Sequence, residues 1–335
     1  MPKILITGSS GFIGSFIVEE ALRRGMEVWA AVRQTSSRQY LNDERIHFIC
    51  LDLSSQEALA KQLNGHVFDY VVHAAGATKA VRRSLFRETN TVGTMNLVRA
   101  IAACKMPIRM FVFMSSLSVY GPARERQPHT DILDTDTPQP NTAYGKSKLE
   151  AEQFLDSFGK DNPFPYIILR PTGVYGPREK DYYLMMQSIQ RHIDVAAGFK
   201  PQDITFIYVN DLVQAVFLAL EKGKSGRKYF LSDGDVYSSR TFSDLVHNAL
   251  GGDRWWIRLT LPLWLLRLIT AAGEAWGHLS GQLTALNGDK YNIMKQRNWR
   301  CDISPAVTEL GYKPQWKLAE GVHETVKWYK EHGWL

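Results

Sequence analysis

Tyr144 and Lys148 stand four residues apart in Tyr144-Gly145-Lys146-Ser147-Lys148, a spacing that puts both side chains on one face of a helix. A phenol with its ordinary pKa of about 10 is a poor proton acceptor at neutral pH, and a neighbouring ammonium favours its phenolate. The chemistry on offer is proton transfer at a hydroxyl or carbonyl oxygen. Met114-Ser115-Ser116-Leu117-Ser118 follows an apolar run, and a hydroxyl there would stabilise a developing alkoxide. Ser116, Tyr144 and Lys148 are the candidate catalytic set. A second Tyr-x-x-x-Lys pair, Tyr291 and Lys295, has no serine-rich strand end shortly before it and reads as a chance match.

Such a set needs an electron carrier, and the amino terminus offers a place for one. Thr7-Gly8-Ser9-Ser10-Gly11-Phe12-Ile13-Gly14 lies between an apolar strand and a helix. Gly8 permits the tight turn, Gly11 lets the backbone approach a pyrophosphate, and Gly14 allows close packing of helix on sheet. The amino terminus of the helix presents free N–H groups to the anion. The second strand ends in Val32-Arg33 rather than an acidic residue, and a guanidinium there would pair with a 2′-phosphate. NADP(H) is therefore expected ahead of NAD(H), which stays possible.

The elements that position these residues follow from alternating apolar runs and helical segments. Strands are expected at Lys3–Thr7, Glu27–Val32, His47–Cys50, Tyr70–His73, Arg109–Met114 and Tyr166–Arg170. Helices are expected at Phe12–Arg24, Ser55–Leu63, Arg87–Cys104 and Thr142–Phe158. This is the pattern of an α/β fold, a Rossmann-type doubly wound parallel sheet. Eight of the nine tryptophans fall between Trp255 and Trp334, a shift that marks a smaller, mostly helical C-terminal substrate lobe. The expected division is 1–174 plus 204–232 for the dinucleotide domain, with a return to the sheet near Phe206–Leu220, and 175–203 plus 233–335 for the lobe.

The net charge of +6 is scattered without a Lys/Arg run, so no nucleic-acid partner is expected. Cys50, Cys104 and Cys301 form no CxxC, and the chain begins directly with its first strand, which points to a reducing, cytoplasmic setting without a signal peptide. The apolar stretch Leu259–Ala272 is broken by Pro262 and Arg267 and is too short for a transmembrane segment. No metal-ligand cluster is expected.

Taken together, Thr7–Gly14, Asp52-Leu53, His73–Gly76, Asn90–Thr94, Ser115–Gly121, Tyr144–Lys148, Leu169–Pro177 and Leu310–Pro314 resemble the extended short-chain dehydrogenase/reductase family, the NAD-dependent epimerase/dehydratase superfamily. That resemblance implies an NAD(P)-dependent enzyme acting on a small-molecule substrate. It makes Ser116 the family hydroxyl, Tyr144 the acid-base and Lys148 its partner. Asp52 would contact the adenine, with Leu53 beside it. Ala74, Ala75 and Gly76 would line the cofactor, Asn90 would support the lysine, and Pro171, Thr172, Gly173 and Val174 would flank the nicotinamide. The resemblance also implies a homodimer through the helices that hold Asn90 and Tyr144.

Two branches compete for the substrate. Nucleotide-sugar enzymes usually carry an Arg-Asp pair where this chain has Ile204-Thr205. The 3β-hydroxysteroid dehydrogenase-like and dihydroflavonol reductase-like branch is similar in its arginine after the second strand and in its apolar insert, here Trp255-Trp256-Ile257 through Leu261–Ile269 to Trp276. The favoured expectation is hydride transfer to or from a hydroxyl or ketone on an apolar or ring-based molecule. A nucleotide-sugar epimerase/dehydratase with tightly held NAD is the alternative, and a non-catalytic NAD(P)-binding protein is the second. Candidate substrate contacts are Ser118, Thr78, Tyr175, Arg178 and Trp264. Gly273, Gly277 and Gly281 offer a smooth helix face, and peripheral membrane contact through Trp264 with Arg258 and Arg267 is compatible with either chemistry.

Overall fold

A computed structural model describes residues 1–252, 255–280 and 287–335; the expected packing glycine Gly281 lies outside them. The first half alternates β1 (Lys3–Thr7), α1 (Phe12–Arg23), β2 (Glu27–Val32), β3 (His47–Cys50), α2 (Gln56–Leu63) and β4 (Tyr70–His73). Then come α3 (Arg83–Phe86), α4 (Gly93–Ala103), β5 (Met110–Met114), α5 (Ala143–Asp161) and β6 (Tyr166–Pro171). Downstream lie β7 (Gly173–Tyr175), α6 (Lys180–Gln190), β8 (Ile193–Ala197), β9 (Asp203–Ile204), β10 (Phe206–Tyr208), α7 (Val209–Lys222) and β11 (Lys228–Leu231). The chain closes with β12 (Tyr237–Ser238), α8 (Thr241–Ala249), β13 (Ile257–Leu261), α9 (Leu263–Ser280), α10 (Gly288–Lys295) and α11 (Leu318–Glu331).

Seven parallel strands form the main sheet in the order β11-β6-β5-β4-β1-β2-β3. The central strands are near-continuous apolar runs because both faces are covered. Helices α1 and α7 bury Ile17, Val18, Leu212 and Val216 on one face. On the other, α2, α4 and α5 bury Leu59, Leu97, Ile101 and Leu155. The chain leaves β1 towards opposite edges, so a crevice opens at the carboxyl ends of β1 and β4, where ligands bind in such sheets.

Three expectations are corrected. The helix expected over Arg87–Cys104 is split into α3, a wider π turn at Arg87–Val92, and α4. The π turn carries Asn90, consistent with the habit of such turns to sit at functional sites. Phe206–Tyr208 does not rejoin the main sheet: it pairs only with β7, and Val209–Lys222 is helical. The seventh strand is instead Lys228–Leu231, four residues too short to stand out by pattern. Finally, Ala306, Leu310 and Tyr312, assigned to the lobe by position, pack in the α1/α7 core, with the Tyr312 hydroxyl donating to the Ser232 carbonyl at 3.0 Å. The lobe core proper gathers Tyr175, Phe206, Phe242, Val322 and Tyr329 from β7, β10, α8 and α11.

Candidate active site

The glycine turn is as tight as its sequence requires. Gly8 has a φ of +70°, and a Cβ there would stand 2.6 Å from the Ala75 nitrogen. A Cβ on Gly14 would overlap the Gly8 carbonyl. Gly11 begins α1 without any side-chain cap, so the first-turn amides around Phe12 and Ile13 are left for an anion. Across the crevice, the Ala74 and Ala75 amides are held by the Thr7 carbonyl and hydroxyl, each at 3.2 Å. Gly76 is exposed, and a Cβ on it would lie 3.0 Å from Asn90 Oδ1 and 3.1 Å from Lys148 Nζ. These features fit a dinucleotide laid along the crevice. At its outer end Arg33 is exposed, with its amide donating to Ser36 Oγ at 3.0 Å. Asp52 is exposed and braced by Ser54, and the Leu53 carbonyl accepts from Asn96.

Ser116, Tyr144 and Lys148 come together at the ends of β5 and α5. Ser116 Oγ donates to Ser118 Oγ at 3.1 Å, and the Ser116 hydroxyl lies on the side of the Tyr144 phenol where it favours the anion. Burial pushes the Tyr144 phenol up to about 12, opposed by the Ser116 hydroxyl. Burial brings the Lys148 ammonium down to about 8, with Glu152 opposing. Lys148 Nζ donates to the Met114 carbonyl at 2.8 Å and sits 4.8 Å above the Phe113 ring. Asn90 is fully buried: its Oδ1 accepts from the Ala77 amide at 2.7 Å, and its Nδ2 donates to Ser147 Oγ at 3.0 Å. It thereby joins the loop after β4 to the helix that bears Tyr144 and Lys148.

Several residues that aim this set were not identified from the sequence. Thr142 caps α5 through the Gly145 amide, while Asp289, in the first turn of α10, accepts from the Ala143 amide at 2.8 Å. Its carboxylate lies where the helix dipole favours negative charge. One turn beyond Lys148, buried Glu152 pairs with Arg170 and accepts from Ser115 Oγ, which ties β5, β6 and α5 together. A chain of hydrogen bonds also crosses the crevice floor. Thr7 Oγ1 lies 2.7 Å from His73 Nδ1, and His73 Nε2 lies 2.9 Å from Thr94 Oγ1, whose own proton goes to the Asn90 carbonyl. Since Thr94 must accept, the neutral imidazole carries its proton on Nε2. Burial holds that histidine neutral, with its pKa brought down to about 3.

The five candidate substrate contacts divide. Ser118 adjoins Ser116, and Thr78 is exposed in the loop just past Gly76. Tyr175 is fully buried in the lobe core, among Phe206, Tyr208 and Phe242. Arg178 is pinned to α1: its guanidinium lies over Phe16 at 4.3 Å and Tyr40 at 4.4 Å and donates to Ser15 and Glu19. Trp264 is 66% exposed on the outside of α9. Near β6, Pro171 and Thr172 are buried, with Thr172 Oγ1 bonded to Thr205, while Gly173 abuts the Tyr182 hydroxyl and Val174 is half-buried. On α10, Lys295 sits 5.1 Å over the Tyr291 ring, a cation–π pair.

Residues 4–232 match the model of the NAD dependent epimerase/dehydratase family. The chain is 30% identical over 338 residues to a UDP-glucose 4-epimerase of Vibrio cholerae, covering 98% of this chain and 95% of that one. It is 24% identical to the dTDP-D-glucose 4,6-dehydratase of Homo sapiens, covering 99% and 91%. Among solved structures, the UDP-glucose 4-epimerase of Thermotoga maritima with UDP-glucose superposes with a TM-score of 0.79 at 22% identity, covering 98% of this chain and 99% of that one. The dTDP-glucose 4,6-dehydratase of Bacillus anthracis, in complex with NAD, gives 0.80 at 19% identity, covering 99% and 97%. The chain belongs to the NAD-dependent epimerase/dehydratase family, enzymes of the extended short-chain dehydrogenase/reductase kind.

Proposed function

We propose that the chain is an epimerase that oxidises and re-reduces one secondary hydroxyl of a nucleotide-activated sugar. The Ser116 hydroxyl set towards the Tyr144 phenol, with buried Lys148 on the same helix held to the Met114 carbonyl, carries this reading. The end-to-end likeness to a UDP-glucose 4-epimerase supports a nucleotide-sugar substrate. The apolar-ketone reading loses its basis, because Trp255, Trp264 and Leu268 are 69%, 66% and 60% exposed rather than gathered around a pocket. A bound nicotinamide dinucleotide supplies the hydride acceptor and a positive ring that favours phenolate. Tyr144 takes the hydroxyl proton and returns it, Ser116 holds the reacting oxygen, and Lys148 biases the phenol towards its anion.

Epimerisation is favoured over loss of water by the likeness to a UDP-glucose 4-epimerase at 30% identity, against 24% to a dTDP-D-glucose 4,6-dehydratase. Incubation with uridine and thymidine diphosphate hexoses, without added cofactor, followed by NMR for inversion at one carbon, tests the proposal. Conversion of apolar ketones with steady use of external NADPH, and none of sugar nucleotides, would replace it. For the cofactor, exposed Arg33 and the absence of an acidic end to β2 support NADP(H). Arg33→Ala should weaken NADPH binding roughly ten- to a hundredfold and spare NADH; equal wild-type affinities would assign Arg33 to solvent. The free cysteines support a cytoplasmic setting, and a homodimer through α4 and α5 is checked by the mass in solution.

A further inference from the structure

We propose that the outer face of α9 and the adjoining β8–β13 ribbon is a docking surface for an anionic lipid bilayer. The helix is inverted relative to an ordinary amphipathic one. Among its described residues Leu266, Thr270 and Gly277 are buried, whereas Leu263, Trp264 and Leu268 are exposed at 36%, 66% and 60%. Leu266 is thus buried, while Leu263, Trp264, Leu268, Ile269 and Trp276 face out.

The ribbon repeats the pattern. Ile193 pairs in register with Ile257, and Val195 with Leu259. All four are more than two-fifths exposed, so one face of the ribbon is apolar towards solvent. Only Pro262 separates β13 from α9, and Leu263 packs against Gly198 just beyond β8, so the two surfaces adjoin. Trp255, stacked on His192 at 4.7 Å, is presented outward beside them. Exposed apolar surface of this extent marks an interaction site.

Charge selects the occupant. Arg191, Lys200 and Arg267 are exposed around this surface and form no ion pair among the described residues. The acids nearby are engaged: Asp194 with Arg240 and Arg258, Asp244 with Arg258, and Glu274 with Arg83. A second copy of the chain would bring the same unpaired cations against this rim. An anionic headgroup layer neutralises them while the indoles and aliphatic side chains enter the acyl boundary, as amphipathic interfacial elements do. No helix among the described residues is long and apolar enough to cross a membrane, so the contact is one of lying on the surface.

The full chain is mixed with vesicles of phosphatidylcholine alone or with phosphatidylglycerol added, and floated on a gradient. Wild type is expected to float with the anionic vesicles, less with neutral ones, and to release in high salt. Its tryptophan fluorescence is expected to shift blue and to be quenched by brominated acyl chains, a readout that needs no variant. Trp264→Glu with Leu268→Glu should reduce binding roughly tenfold or more, the scale of losing one buried apolar side chain, with unchanged melting and cofactor retention. Arg267→Glu should reduce it on anionic vesicles alone. Failure of wild type to bind either vesicle overturns the proposal, as does undiminished binding by the double variant. A fall in the double variant's mass in solution, with no vesicle binding by wild type, overturns it in favour of self-association.

Discussion

Helices α1 and α9 are both rich in apolar residues, yet they turn them in opposite directions. In α1 the buried apolar side chains include Ile17, Val18, Ala21 and Leu22, and the helix lies on a sheet that needs covering. In α9 Leu263, Trp264 and Leu268 point away from the protein, while Leu266, Thr270 and Gly277 point in. Periodicity gives a helix an apolar side, but the neighbouring surface decides which side is covered. Reading the α9 region as pocket lining assumed that apolar residues face inward, and that assumption is what failed.

The largest effect expected tests the α1 half, where local spacing points to the chemistry. Tyr144→Phe should leave cofactor binding intact and lower turnover by about a hundredfold or more, measured as kcat on a converted sugar nucleotide. Tyr291→Phe should leave it unchanged. Equal losses in both variants would mean that the spacing alone, without the serine-bearing strand end, had been over-read.

Next is the turn itself. Gly14→Ala places a methyl group against the Gly8 carbonyl, which is backbone and cannot swing aside. A cost of about 1–3 kcal/mol, the usual range for overpacking, is expected together with loss of cofactor affinity. Denaturant melts with and without NAD(P) check both. A variant of wild-type stability would show that α1 can lift from β1 without harm.

These two sites were legible because both are short segments whose geometry is set within a few residues. The parts that went unread join positions far apart in the chain. Asp289 braces Ala143 from 146 residues away. Arg170 needs Glu152, and His73 needs both Thr7 and Thr94, and none of these pairings leaves a local pattern. Strand β11 was missed because four residues beside a turn carry little periodicity, and the π turn at Arg87–Val92 because its residues read as ordinary helix.

The His73 chain gives a third, smaller effect. An unfolded histidine titrates near 6.5, whereas this one stays neutral in the fold until about pH 3. Between these values the unfolded chain holds the extra proton, so stability from this residue is complete above 6.5 and falls as the pH drops. The slope should approach ~1.4 kcal/mol per pH unit well below 6.5. His73→Gln should flatten the stability profile by that amount between pH 6 and 5 (roughly the window before carboxylates dominate). An unchanged slope would mean that the buried imidazole already titrates normally.

The smallest effect expected, at Leu268 on α9, bears most directly on the contrast with α1. Leu266 and Leu268 are two residues apart on one helix, with exposures of 2% and 60%. If the helix is seated as described, Leu266→Ala removes a packed side chain and should cost about 2–5 kcal/mol. Leu268→Ala removes a solvated one and should change stability by no more than about 0.5 kcal/mol in either direction. The same pair of truncations in α1, Val18→Ala and Leu22→Ala, should both be costly, because both side chains are buried against the sheet. Denaturant unfolding of the four variants in the absence of lipid compares them on one scale. A large loss at Leu268 would mean that its side chain is covered in solution, by this chain or by another copy. The inversion of α9 would then be a covered interface, and the two helices would obey the same rule after all.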